Sequence, residues 1–167
     1  MLGTARRCPS ESTIRRLLAT VDADRFDAAI GAFVQRLCTG VAPAGRRRVL
    51  AVDGKTLRGS RHAGSAGVEV AGRHLLAVID QHTRVVLGQT AVDGKTSEIN
   101  RLAPLIDTLT GIDLAGAVIT ADALHTQREH VTELHARGAH WVLTVNPGSA
   151  ANWSPGHGNG RVSCRNV

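Results

Sequence analysis

The sequence predicts an α/β fold: a mixed sheet laid down in the order β-β-β-α-β-α-β, preceded by a small helical segment. Three observations predict it. Short runs of Val, Ile and Leu bounded by turn residues recur from residue 49 onward, the texture of strands. Apolar residues at helical spacing interrupt them twice, after Ser97 and after Thr126. Ahead of residue 49 the same helical spacing occurs in two segments rich in Arg. With 167 residues, 43% hydrophobic and 20% charged, the chain has the composition of a packed domain.

Residues 1–9 are basic and aperiodic, the pattern of a frayed end. Ser10 or Ser12 can cap a helix with Ile14, Leu17 and Leu18 on one face. Asp24 can cap a second, with Phe26, Ile30, Phe33, Val34 and Leu37 at helical spacing. The pair reads either as an arm or as helices packing on the sheet that follows. A Pro/Gly/Arg linker runs from Pro43 to Arg48. Val49–Asp53, His74–Asp80 and Val85–Val92 then read as strands, the last two joined by the hairpin-length "QHTR" and so antiparallel. Ser97 caps the next helix, with Glu98 in its first turn and Ile99, Leu102, Leu105, Ile106 and Leu109 on one face. Ala117–Ala121 is a buried-type strand. Thr126 with Glu129 forms a capping box for a helix carrying Val131 and Leu134 and ending at Gly138. Trp141–Val145 is the fifth strand, reached like the fourth by a right-handed parallel crossover. Three regions result: a basic helical segment and linker (1–48), the α/β domain (49–146), and a tail (147–167). The tail has four Gly, two Pro and no period that could bury a face, and is expected to be disordered.

Charge follows this division. The net charge of +6 splits into +5, −1 and +2 over the three regions, so a basic arm precedes a nearly neutral domain. That asymmetry points to an anionic partner docking at one end. No run approaches the ~18 apolar residues of a membrane span. No signal peptide opens the chain, and Cys8, Cys38 and Cys164 make no disulfide framework, so a reducing cytoplasm is expected. Four aromatic residues, Phe26, Phe33, Trp141 and Trp153, are too few for a base-stacking platform. Nucleic-acid binding would rest on charge and backbone contact.

Two carboxylates carry the candidate chemistry. Asp53 closes "VLAVD" and Asp122 closes "AVITAD". Acids at the ends of adjacent central strands converge at one sheet edge, where hard oxygen ligands suit Mg²⁺. Asp53-Gly54 is equally a turn signal, and Asp122 could be a helix cap. "VDGKT" occurs at 52–56 and again at 92–96, but neither copy has the Gly that a P-loop requires. His125, His130, His135 and His140 recur every five residues, which rotates them around a helix rather than aligning them as zinc ligands. The loop Gly54–Gly72 holds five Gly with Lys55, Arg58, Arg61 and His62, a basic stretch beside the acids. It reads as a polyanion contact or as a solvated hairpin loop. Arg46, Arg47 and Arg48 close the linker on the other side.

"AVDGKTLRGS", "HLLAVID", "VVLGQTAVDGKTSEI", "GAVITADALHTQ" and "HWVLTV" resemble the middle of the H-repeat-associated insertion-sequence transposases. "PSESTIRRLLATVDADRFDAAIGAFV" resembles the segment before their catalytic domain, and the likeness runs from Pro9 to Val145. The resemblance implies a DDE-type transposase with an RNase-H-like sheet, in which Asp53 and Asp122 are the first two catalytic and metal-binding acids. It implies Mg²⁺ or Mn²⁺ as cofactor, two metals serving phosphodiester cleavage and strand transfer, and insertion-sequence ends as the DNA partner. Arg46, Arg47, Arg48, Lys55, Arg58 and Arg61 are the expected DNA contacts. Relatives are more than twice as long and carry a third acid, a Glu on a later helix; here no Asp or Glu follows Glu133. The expectation is therefore a partial, inactive copy lacking the final helix of its fold. A non-catalytic DNA-binding remnant, forming oligomers with itself or with intact transposase, is the alternative. A third reading is an unstable product with apolar sheet surface uncovered.

Overall fold

The computed structural model describes residues 8–39, 45–63, 69–70, 72–92, 95–145 and 161–164, with the side chains of 62, 63, 69, 70, 95–97 and 161–164 left aside. Helices α1 (Glu11–Thr20) and α2 (Ala23–Thr39) come first. Strands β1 (Val49–Thr56), β4 (His74–Asp80) and β5 (Val85–Val92) follow, and between β1 and β4 lies a small ribbon of β2 (His62–Ala63) and β3 (Glu69–Val70). Next come α3 (Lys95–Asp107), β6 (Val118–Ala121), a 3-10 turn (Ala123–His125), α4 (Arg128–Ala136), β7 (His140–Val145) and β8 (Arg161–Cys164).

The main sheet runs β5-β4-β1-β6-β7-β8, with β1, β4 and β5 antiparallel and β1, β6, β7 and β8 parallel. From β1 the chain builds outward on one side and returns to start the other side, which makes the β1–β6 gap the switch point of the sheet. The alternation in "HLLAVID" produces strict alternation of burial: His74, Leu76, Val78 and Asp80 are buried, Leu75, Ala77 and Ile79 half-buried. The buried side lies under α3 and α4, whose Leu102, Leu105, Ile106, Val131 and Leu134 join Leu50, Val52, Leu76, Val78, Ile119, Trp141 and Leu143 in one core.

Several elements differ from expectation. β1 runs three residues past Asp53, so Asp53-Gly54 is strand interior and not a turn. α3 starts two residues before Ser97. Thr126 does not cap α4: it donates to Thr144 O at 2.6 Å, and the N-cap position falls to Gln127, without a side-chain bond. β8 pairs in parallel with β7 inside the stretch expected to be disordered; the rest of 146–167 lies outside the described residues, as do residues 1–7 and Pro43.

The helical segment differs most. α2 packs on β5 through Gln35 and Cys38, with Val34 the one residue of its apolar stripe that packs against the core. Gln35 Nε2 donates to Leu87 O (2.9 Å) and Thr108 O (3.0 Å), while Gly111 N donates to its Oε1 (3.0 Å). Phe26, Ile30, Phe33 and Leu37 stay exposed, as do Ile14, Leu17 and Leu18 on α1, which buries no residue. No described helix is long and apolar enough to cross a membrane.

Candidate metal and nucleic-acid site

Strand register carries the two predicted acids to the same end of the β1–β6 pair. Val49, Leu50 and Ala51 pair in parallel with Val118, Ile119 and Thr120. The ladder ends at Ala51 and Thr120; Asp53 lies two residues further along β1, and Asp122 two residues beyond Thr120, just past the end of β6. β6 ends at Ala121, so beyond this point β1 is paired only with β4 and the parallel side is open. Asp53 lies on the β1 side opposite Leu50 and Val52 and is exposed. Asp122 is also exposed and caps the 3-10 turn, its Oδ1 accepting from Leu124 N at 3.0 Å. The cap reading of Asp122 therefore holds, although for a different turn. It uses one oxygen of a carboxylate that offers about four acceptor sites.

The predicted basic residues divide into two groups. Lys55 is exposed two positions beyond Asp53, on the same side of β1, and Arg58 and Arg61 are exposed in the chain that follows. Arg46, Arg47 and Arg48 precede the opposite end of β1, five or more residues (about 16 Å) from Asp53. There Arg46 and Arg47 border a cavity of about 350 Å³ walled by Thr39 and the 111–117 loop, with Asp113 in its lining. Arg48 is turned inward. Its side chain is 9% exposed, Nη1 lies 3.5 Å from the buried Asp80 Oδ2, and Nη2 donates to Cys38 O at 2.7 Å. Arg48 is thereby held inside the fold and presents little surface to a ligand.

Behind the acid pair lies a buried polar cluster that sequence reasoning did not assemble. Glu98, in the first turn of α3, is 4% exposed. Its Oε1 is paired with His74 Nε2, and His74 Nδ1 meets Thr56 Oγ1 at 2.8 Å. Its Oε2 lies 3.7 Å from Nε2 of His125, which is 1% exposed and has no hydrogen-bond partner at either ring nitrogen. His130 spans two backbone carbonyls, His125 O at 2.9 Å and Ile99 O at 2.7 Å. Burial pushes the His125 imidazole below its ordinary pKa, against the pull of Asp122; His130 adds to the lowering, while Glu98 and Asp53 oppose it. Three carboxylates thus act on one buried ring. The five-residue recurrence of His125 and His130 was the available signal: the rings do meet, with centroids 5.7 Å apart.

Asp53 and Asp122 are exposed carboxylates, the donor type a hard divalent cation takes, and together they could give such an ion at most two protein side chains. Among the described residues, no group of three or more His, Cys, Asp or Glu is arranged to hold a metal.

The chain is similar to known proteins of one family. The family described as Transposase DDE domain matches residues 44–162. A protein of Xanthobacter autotrophicus, "Uncharacterized protein in dhlA 3'region", is 32% identical over 150 residues, 90% of this chain and 48% of that one. "Putative transposase YncI" of Escherichia coli O157:H7 is 28% identical over 82% of this chain and 33% of its own length. "H repeat-associated putative transposase YhhI" of Escherichia coli K12 is 29% identical over 58% and 24%. The chain thus spans between about a quarter and about half of these relatives. A solved piggyBac transposase synaptic complex with hairpin DNA aligns at TM-score 0.43 and 15% identity over 89% of this chain and 34% of that one, too low to carry an argument.

Proposed function

Because this chain belongs to the transposase DDE domain family, we propose that it descends from an insertion-sequence DNA transposase and is a partial, inactive copy of one. The observation that supports the reading is the β1–β6 register, which leaves Asp53 and Asp122 each two residues past the last paired positions, Ala51 and Thr120, at the same end of the pair. We read the sheet as RNase-H-like, with the acids where such a sheet would hold its metals. Asp53 and Asp122 would hold Mg²⁺ or Mn²⁺, which when bound supplies Lewis-acid polarisation of a phosphodiester. Lys55, on the same side of β1, offers a positive charge to the phosphate, and Arg58 and Arg61 extend that charge along the DNA backbone. With only two protein carboxylates, such a cation would have few protein ligands and be loosely held, which is why cleavage and strand transfer are absent from the proposed activity of this chain alone. The proposed setting is the cytoplasm, with insertion-sequence ends as partner.

The test is incubation of the full chain with supercoiled DNA and Mg²⁺ or Mn²⁺. The expected result is no nicking above background, together with weak Mn²⁺ binding that Asp53→Asn removes. Metal-dependent nicking that disappears in Asp53→Ala would overturn the inactive reading; Mn²⁺ binding unaffected by Asp53→Asn would overturn the site.

A second reading, a non-catalytic DNA-binding remnant that joins itself or intact transposase, is favoured by one observation. Arg46 and Arg47 are exposed side by side at the end of β1 remote from the acids. It expects DNA affinity that falls steeply with salt and survives Asp53→Asn, but weakens when Arg46 and Arg47 are both replaced by Ala.

A further inference from the structure

Glu98 is a carboxylate in the core of a small domain, and such a group is costly unless charge and hydrogen bonds compensate it. The compensation comes from two parts of the chain: the N-terminal turn of α3 favours a negative charge, and β4 supplies His74. The 3-10 turn adds His125, whose Nε2 lies 3.7 Å from Glu98 without a hydrogen bond. A fourth part is shaped around it. A Cβ on Gly54 would lie 2.7 Å from both Glu98 oxygens, so β1 accepts this carboxylate only because residue 54 has no side chain. Gly54 follows Asp53 directly, and His125 ends the turn that Asp122 caps. The carboxylate therefore touches the backbone immediately after one acid and the ring three residues after the other. His130, hydrogen-bonding distance from both His125 O and Ile99 O, fastens the same turn to α3 a second time.

Resting on the metal-site reading above, we infer that Glu98 is the positioning residue that holds Asp53 and Asp122 at their mutual spacing. It is not a ligand in this assignment. Gly54 and the buried strand residues share one side of the sheet, Asp53 is on the other, and Glu98 acts on the acids through the backbone of β1 and through His125. Apart from this cluster, the 3-10 turn is held by Leu124 N on Asp122 Oδ1, His125 N on Asp122 O and the Thr126 hydroxyl on Thr144 O.

Two measurements on the full chain test this, one free of metal. Amide hydrogen exchange compares the wild type with Glu98→Gln, which keeps the shape and removes the charge, and Glu98→Asp, which keeps the charge on a shorter arm. In Glu98→Gln the Leu124 and His125 amides should exchange about tenfold faster, with the Leu50 and Ile119 amides unchanged. Mn²⁺ titration followed by electron paramagnetic resonance should show affinity about tenfold weaker in Glu98→Gln, partly restored in Glu98→Asp. Should Glu98→Gln unfold the chain, His74→Gln, which leaves the carboxylate in place, must give the same local exchange pattern.

Unchanged exchange at the turn in a folded Glu98→Gln chain overturns the inference. So does Mn²⁺ binding abolished as completely as in Asp53→Asn with exchange unaltered, because Glu98 would then be a ligand. Faster exchange at the turn in Glu98→Gln, when the wild-type chain binds no Mn²⁺, sinks the metal site but leaves the positioning role standing.

Discussion

Along β1, Leu50 and Val52 are buried under α3 and α4, whereas Val49 and Ala51 keep part of their surface in water and Asp53 is exposed. β4 repeats the contrast, with Leu76 and Val78 on one side and Leu75, Ala77 and Ile79 half-buried on the other. One face of the sheet is an interior with a charged cluster inside it; the other is a partly wet surface that carries the acids. The difference separates holding from contacting. Glu98 and its histidines, proposed to fix geometry, sit where water does not compete, and Asp53 and Lys55, proposed to meet a cation or a phosphate, sit where solutes can reach them.

The contrast is broken most severely from the interior side. Leu76→Ala should cost about 2–5 kcal/mol, because this side chain is fully buried and its neighbours cannot collapse onto the gap. Ile79→Ala, half-buried on the opposite side, should cost about half as much; chemical denaturation of both variants gives the ratio, and equal losses would mean the two faces are equally packed.

Next comes the link between α2 and the sheet. Gln35→Ala leaves the Leu87 and Thr108 carbonyls and the Gly111 N–H without this partner, so a loss of about 1–3 kcal/mol is expected in the same denaturation experiment.

The cluster itself should respond to acid. The folded state favours neutral His125, so between its depressed folded pKa and the unfolded value of 6.5 the unfolded chain binds more protons. The contribution is therefore complete above that unfolded value and declines as pH falls through the window below it. Thermal unfolding from about pH 7.5 to about pH 5.5 should show a larger fall in midpoint for the wild type than for His125→Gln. Parallel curves would remove the buried ring as the cause. The smallest expected effect belongs to the wet face: Asp53→Asn should change stability by less than about 0.5 kcal/mol while removing Mn²⁺ binding, which isothermal titration would register.

Local pattern made much of this architecture legible. The alternation in "HLLAVID" and the helical spacing around Leu102, Leu105 and Ile106 identify elements, because each depends on neighbours within a few residues. Asp53 and Asp122 stood out because both close apolar runs, and both lie just past the paired stretch of β1 and β6. Orientation was less accessible. Spacing tells which residues share a side of α2, but Gln35 turns that helix by bonding to atoms 52, 73 and 76 residues away, and the apolar stripe faces outward. Glu98 was read as a first-turn charge suited to the helix dipole, which it is. Its burial depends on His74, Gly54 and His125 arriving from three other elements, a condition that no window of sequence contains.

The parallel pairing of β1 with β6 also determines which changes of chain length the acid pair can survive. Residues added to the connection between β4 and β5, or to the turn ahead of β6, lengthen loops and leave the strand ladder as it is. A single residue added between Val118 and Ala121 would shift everything after it by one step, turning Asp122 away from Asp53 and carrying its neighbours to the wrong side of the sheet. In genealogical terms, drift in length is cheap in the loops and forbidden over four positions, so intact spacing there would distinguish lineages that still keep the pair from those that have let it go.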